Sequence, residues 1–187
     1  MITEELKQKN FELFVKKMED FGVTAERIQN VFGDKLINAS FAIEPNSMLT
    51  YEGSLLHVVL RTFTPYAIKL NGLLPDEIKA DQKSLVKVCL LQHLAKAFMF
   101  EKNDNAWEIE KLGKTFKYSQ HKIALRLGAR SLVLAMKLGV ELNEYEVEAL
   151  TIIDKGASDE QAKFFATPIS VIVRQANELT TLESIFK

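Results

Sequence analysis

The chain has 187 residues, of which 47% are hydrophobic and 26% charged, so it is long enough to form one core of substantial size. Its 24 basic and 25 acidic residues give a formal charge of −1, which disfavours a nucleic acid or an anionic membrane as the partner. The single cysteine, Cys89, excludes an intrachain disulfide, and no apolar run reaches the roughly 18 residues of a membrane span.

Two helices and a loop are predicted in residues 1–50. Thr3 precedes two acids and an apolar stripe of helical period, which is typical of an N-cap. Thr24 begins a shorter second helix that should end near Gly33. Residues 37–52 have no helical period and contain Pro-Asn-Ser, which predicts an ordered loop.

The middle of the chain predicts two longer helices. The first covers residues 54–70 and is expected to be kinked by Pro65. The second is the most apolar helix of the chain, and it runs from Asp81 or Ser84 to residue 100. The polar connection at residues 101–118 has room for a short β-hairpin.

The last third of the chain predicts a long helix and then shorter ones. The long helix covers residues 119–138 and is ended by Gly139. Two capping-box patterns predict further helix starts: Asn143 with Glu146, and Ser158 with Gln161. Proline at its favoured first position, Pro168, predicts the start of the last helix.

These elements predict an all-α protein, a single-domain bundle of about seven helices over residues 1–187. No internal repeat, low-complexity tract or linker divides the sequence. No secretory signal pattern stands at its start, so we expect a cytoplasmic protein.

One stretch in the most apolar helix, KVCLLQHLAKAF at residues 87–98, places Gln92 and His93 among apolar residues. Together with the segment that begins YEGSLLHVVL at residue 51, it resembles the HD-domain family of metal-dependent phosphohydrolases, whose corresponding helix reads CLLHDLAK. The likeness continues through LGARSLVLAMKL, EVEALTIIDKG and TPISVIVRQANELT. It implies an HD-like core over residues 51–180, preceded by the N-terminal helices and loop of residues 1–50.

The family's activity requires histidines and aspartates from several helices to bind one or two divalent cations, which activate a water molecule for attack on phosphorus. The resemblance places six residues at these positions: Val58, Gln92, His93, Leu127, Asp154 and Asn177. Valine and leucine donate no electron pair, and neutral amides are weak ligands. We therefore predict a degenerate site that binds neither metal nor cofactor, and a chain that is not a hydrolase.

The alternative is a phosphohydrolase with a rebuilt site. His57, His93 and Asp154 would give such a site two imidazoles and a carboxylate. Successive residues of a helix point about 100° apart, so this arrangement would require two helices to rotate. We favour imidazoles that are hydrogen-bonded inside the fold, and we interpret Cys89, four residues before His93, as a core residue rather than a nucleophile.

Charge is unevenly distributed in the second half of the chain. Seven basic residues and no acid lie between Lys111 and Val140, and the segment after residue 140 is acidic. Lys122, Arg126 and Arg130 are spaced by four, which predicts one basic face on the helix over residues 119–138. This face is either a phosphate-binding pocket or the partner of the acidic segment, within the fold or across a homodimer, and we favour the second interpretation.

The function expected from the sequence is that of a binding or interaction protein without metal-dependent hydrolysis. Its partner would be another protein or a phosphate-containing small molecule. A nucleic acid is disfavoured because no groove with interleaved aromatic residues accompanies the basic residues.

Overall fold

Helices make up nearly all of the regular structure, as the all-α prediction requires. The computed structural model describes residues 2–45, 47–120, 123–155 and 166–186, with the backbone alone for residues 184–186. The predicted capping box at residues 158 and 161 lies outside these residues.

The described residues form the following elements, in chain order. The helices are α1 (Glu4–Glu19), α2 (Ala25–Phe32), α3 (Lys35–Asn38), α4 (Ser54–Val58), a π-helical segment (Val59–Phe63), α5 (Thr64–Gly72), α6 (Gln82–Leu91), α7 (Lys96–Met99), α8 (Ala106–Leu112), α9 (Leu127–Leu138), α10 (Glu144–Thr151) and α11 (Pro168–Phe186). Short 3-10 turns cover Asp76–Ile78 and Ile152–Asp154.

The centre of the bundle is α6. Five of its residues are buried apolar side chains: Leu85, Val88, Cys89, Leu90 and Leu91. A helix that is apolar on most of its sides must be surrounded by other elements, and α6 packs against α1, α5, α9, α10 and α11. The most apolar predicted helix is therefore the core helix.

Pro65 is accommodated by a π-helical turn rather than by a break. Proline has no N–H to donate and its ring clashes with the carbonyl four residues earlier. The chain avoids this clash because the N–H of Thr64 donates to the carbonyl of Val59, five residues back. The wider turn lets the helix continue from Ser54 to Gly72 and places the Phe63 ring in the core, 4.9 Å from the ring of His93.

Most of the predicted helix starts are confirmed. The side chains of Thr3, Thr24 and Asn143 accept hydrogen bonds from their own first turns, and Pro168 begins α11. Local capping of this kind needs only residues within three positions, which is why the sequence reveals it.

A two-stranded antiparallel hairpin is present in the polar connection, as predicted. Strand β1 (Phe100–Lys102) pairs with β2 (Phe116–Tyr118) so that Phe100 faces Tyr118. The exposed helix α8 lies between the strands and was not predicted. Among the described residues, no helix is both long and apolar enough to span a membrane.

Two predicted helix bounds are wrong. The helix expected to continue to residue 100 is interrupted at Gln92–Ala95, and the helix expected from residue 119 begins at Leu127. In both places a side chain from a distant part of the chain replaces helical hydrogen bonds, as the next section describes.

Candidate functional site

Ser131, on α9, holds open the turn that separates α6 from α7. Its hydroxyl donates to the carbonyl of Gln92 over 2.7 Å and accepts from the N–H of Ala95 over 3.3 Å. The backbone around it forms hydrogen bonds between residues three apart, as in a 3-10 turn. For example, the N–H of Leu94 donates to the carbonyl of Leu91. Because Ser131 is completely buried, this bridge fixes the direction in which Gln92 and His93 leave the helix.

The polar side chains of Gln92, Asn177 and His93 form one continuous hydrogen-bond chain. The Nε2 of Gln92 donates to the carbonyl of Ala149 over 2.9 Å, which leaves its Oε1 to accept from Asn177 Nδ2 over 2.6 Å. The Oδ1 of Asn177 then accepts from Nε2 of His93 over 2.7 Å. The backbone carbonyl at one end thereby sets both amide orientations and the tautomer of the imidazole.

His93 is neutral in this arrangement. It is 2% exposed and lies between the rings of Phe41 and Phe63, with centroid distances of 4.7 and 4.9 Å. Burial lowers the pKa of His93 well below its ordinary value, and the nearby Lys96 charge acts in the same direction. Its second nitrogen, Nδ1, is buried without a hydrogen-bond partner.

Three of the six positions implied by the resemblance therefore meet in space, and they bind one another. Asn177 comes from α11, 84 residues after His93. The contact was not predicted, but the replacement of a carboxylate by an amide in the family pattern was the signal that could have suggested it. An amide can donate to one neighbour and accept from another, whereas a carboxylate can only accept.

Asp154 has a different role, at the start of α9. Its two carboxylate oxygens accept from the N–H groups of Gly128 and Ala129 over 2.8 and 2.9 Å. These N–H groups have no intrahelical partners, and a negative charge there also complements the helix dipole. A Cβ on Gly128 would lie 2.5 Å from the carbonyl oxygen of Leu150, so only glycine permits this approach. Asp154 is thus a capping residue.

The remaining positions are apolar packing residues. Val58 is 3% exposed and lies in the core. Leu127 is partly buried and packs against the core cluster. Cys89 is also completely buried, and burial raises the pKa of its thiol, so its interpretation as a core residue agrees with its surroundings.

The displaced site of His57, His93 and Asp154 is not formed. Nδ1 of His57 is hydrogen-bonded to the hydroxyl of Tyr51 at 2.8 Å, whereas His93 and Asp154 have the separate partners described above. Burial, followed by the charge of Arg61, lowers the pKa of His57. No group of three His, Cys, Asp or Glu side chains within the described ranges is arranged to hold a metal ion.

The residues at the family-like positions do not fit a catalytic divalent cation. Such a site needs about three protein ligands with free electron pairs that converge. Here the Oε1 of Gln92 and the Oδ1 of Asn177 already accept hydrogen bonds, and the carboxylate of Asp154 caps a helix.

The predicted basic helix face is wrong in its geometry. Arg126 precedes the first turn of α9, so Arg126 and Arg130 do not share a face of that helix. Lys122 lies outside the described residues. Arg126 donates to the backbone carbonyl of Asp154, and Arg130 donates to the carbonyls of Leu125 and Ile123. In the part of the chain that is described, neither arginine pairs with a carboxylate.

Two acidic residues of α10, Glu146 and Glu148, have partners outside the basic segment. Glu146 completes the capping box with Asn143 and pairs with Lys87 at 2.8 Å. Glu148 accepts from the N–H of Thr167 just before α11. Among the described residues, the arginines therefore contact backbone carbonyls and the α10 acids contact Lys87 and Thr167, so the expected attraction between the two segments is not seen within the fold. Attraction across a homodimer stays a prediction.

Lys96 was not singled out from the sequence, and it lies beside the hydrogen-bond chain. Its ammonium donates to the carbonyl of Phe41 over 2.7 Å and lies 3.5 Å from the centroid of that ring. Burial lowers the pKa of Lys96 to about 7, against the opposing influence of Glu44. A shallow cleft opens there, with Lys96, His93 and Asn177 among its lining residues.

Comparison with known proteins adds no relative: no protein-family model, curated protein or solved structure matches the chain.

Proposed function

We propose that this protein is an HD-like helical domain in which the metal site has been replaced by a neutral hydrogen-bond chain, and that it acts as a binding or interaction module without metal-dependent hydrolysis. The observation that supports this function is the direction of the bonds from His93 through Asn177 to Gln92 and the carbonyl of Ala149. Each of these bonds engages both partners, and the one imidazole nitrogen left without a hydrogen bond, Nδ1 of His93, is fewer than the roughly three protein ligands that a catalytic cation needs.

Gln92, His93 and Asn177 are also chemically consistent with a joint replacement of charged metal ligands. A buried His-Asp pair with a third carboxylate carries negative charge that a cation must offset. A glutamine, a neutral histidine and an asparagine can fill the same space with paired donors and acceptors and no net charge. The substitutions therefore make one coherent replacement in the proposed degenerate site.

Metal analysis of the purified protein tests this function. After purification without a chelator, we expect far less than one equivalent of Fe, Mn, Ni or Zn per chain. About one equivalent that disappears in the His93→Ala variant would instead support the alternative, a phosphohydrolase with a rebuilt site. A metal that remains in His93→Ala would lie elsewhere and would leave the proposal standing.

A gain-of-function variant provides the complementary experiment. It combines five substitutions that restore the family's donors: Val58→His, Gln92→His, His93→Asp, Leu127→His and Asn177→Asp. If the helical scaffold is preserved, this variant should bind a divalent cation that each single substitution fails to bind, because one donor does not make a site. A folded five-residue variant with no metal affinity would contradict the HD-like alignment.

A further inference from the structure

The cleft beside the hydrogen-bond chain has the size of a small-molecule site. Its volume is about 460 Å³, and sites for small ligands occupy about 300–1,000 Å³. Its lining includes three apolar side chains, Phe41, Ile153 and Leu182. A ligand that fills it would therefore bury an apolar body.

Lys96 is the only basic residue among the described residues that line this cleft. It is partly buried and forms no ion pair in the described part of the chain. One of its three donors is used by the carbonyl of Phe41, and two remain available. A partly desolvated ammonium is costly when no carboxylate contacts it, even with Glu44 nearby, and an anionic ligand would offset that cost.

The other polar residues of the cleft restrict the ligand's charge. His93 is neutral, and Asn177 is committed to its two hydrogen bonds, so neither adds a positive charge. Glu178 lines the cleft from its exposed rim and would repel a second negative charge. A nucleotide with several phosphates would meet one cation and one anion, which disfavours it.

We propose that this cleft binds a small organic monoanion with an apolar body, whose acidic group pairs with the ammonium of Lys96. This inference rests on the proposed function, because it assigns to the binding module a class of ligand. The apolar body contacts Phe41, Ile153 and Leu182, and the acidic group replaces water at the two free donors of Lys96.

Binding of octanoate to metal-free protein at about pH 6, where Lys96 is protonated and octanoate is ionised, tests the proposal, with octanamide as its uncharged analogue. Octanoate should bind at least about tenfold more tightly than octanamide, since a hydrogen bond between two charged groups is stronger than one to a neutral amide. The amide NMR signals of Phe41, Ile153 and Leu182, and the methyl signals of Ile153 and Leu182, should shift on titration. Inorganic phosphate, which has no apolar body, should bind more weakly than octanoate.

Four variants locate the effect. Lys96→Met should lose the preference for octanoate over octanamide, Lys96→Arg should retain it, and Lys9→Met, which removes an exposed lysine of α1, should behave like the unchanged protein. Glu178→Gln should strengthen octanoate binding by removing a like charge.

Three outcomes would overturn the inference: no octanoate binding, equal binding of octanoate by Lys96→Met, or signal shifts confined to another surface. Phosphate binding as strong as that of octanoate would refute the apolar part of the proposal. These failures are distinct from failure of the proposed function, which is tested separately by the metal content of the purified protein and by the five-residue variant.

Discussion

Asn177 is the middle residue of the hydrogen-bond chain, and its two neighbours depend on it. It accepts from His93 and donates to Gln92, both of which are buried. Leucine has a similar shape but would leave the His93 N–H and the Gln92 Oε1 without partners. Each unpaired buried group costs about 1–3 kcal/mol, so the two groups together should lower the free energy of unfolding of Asn177→Leu by about 2–6 kcal/mol.

Urea denaturation of Asn177→Leu measures this loss. Asn30→Leu is a matched control, because Asn30 is exposed on α2 and should change stability by no more than about 0.5 kcal/mol. An Asn177→Leu protein as stable as the unchanged chain would show that the buried neighbours find other partners.

Lys96 should make the free energy of unfolding depend on pH in the neutral to alkaline range. Its pKa is about 7 in the folded protein and near 10.5 in an unfolded chain. Between these values the unfolded chain binds more protons, so the contribution of Lys96 to the free energy of unfolding becomes more favourable as pH rises. Below the folded pKa both states are protonated, and the contribution stays at its least favourable value.

The difference between the unchanged protein and Lys96→Met isolates this effect. Relative to Lys96→Met, the unchanged protein should gain stability from about pH 7 to about pH 9.5, as measured by urea denaturation. A stability difference independent of pH in this range would mean that the ammonium keeps an ordinary pKa in the fold.

At the scale of the elements, the start of α9 depends on Asp154, which is distant from it in the sequence. Gly128 lies against α10, and a Cβ there would also lie 2.9 Å from the Asp154 carboxylate. Gly128→Ala should therefore force the first turn of α9 away from its capping residue and destabilise the protein by about 1–3 kcal/mol.

Gly72→Ala is the control for this substitution. Gly72 is also helical, at the end of α5, but a Cβ there meets no atom within 4 Å. Alanine in open space reduces the entropy of the unfolded chain, so Gly72→Ala should be neutral or stabilising by up to about 1 kcal/mol. Thermal unfolding of the two variants should move in opposite directions, and parallel shifts would contradict the close packing at Gly128.

For the whole molecule, Cys89 provides a direct measure of global unfolding. It lies in the central helix α6, is completely buried and has a thiol pKa raised by burial. A thiol reagent should therefore react only when the bundle opens, and its rate should follow the population of the unfolded chain under increasing urea.

The control is a Cys89→Ala, Trp107→Cys variant. Its thiol lies on α8, at a position where the side chain of Trp107 is 61% exposed, and should react at once. Fast labelling of Cys89 in native buffer would show that α6 opens locally.

The sequence alone determined the all-α class, the starts of α1, α2, α10 and α11, and the choice of α6 as the core helix. These features depend on residues close together in the chain. A capping side chain such as Thr3 or Asn143 bonds to a backbone group three residues away, and a nearly all-apolar helix must be buried wherever it lies in the fold.

Only the tertiary structure decided where α6 ends, where α9 begins and what Gln92 and His93 contact. Ser131 bonds to a carbonyl 39 residues earlier in the chain, and Asp154 bonds to an N–H 26 residues earlier. Such side chains replace helical hydrogen bonds at positions whose own sequence still favours a helix. The physical reason is that a backbone group accepts whichever partner the packing brings within reach, and sequence spacing does not encode that distance.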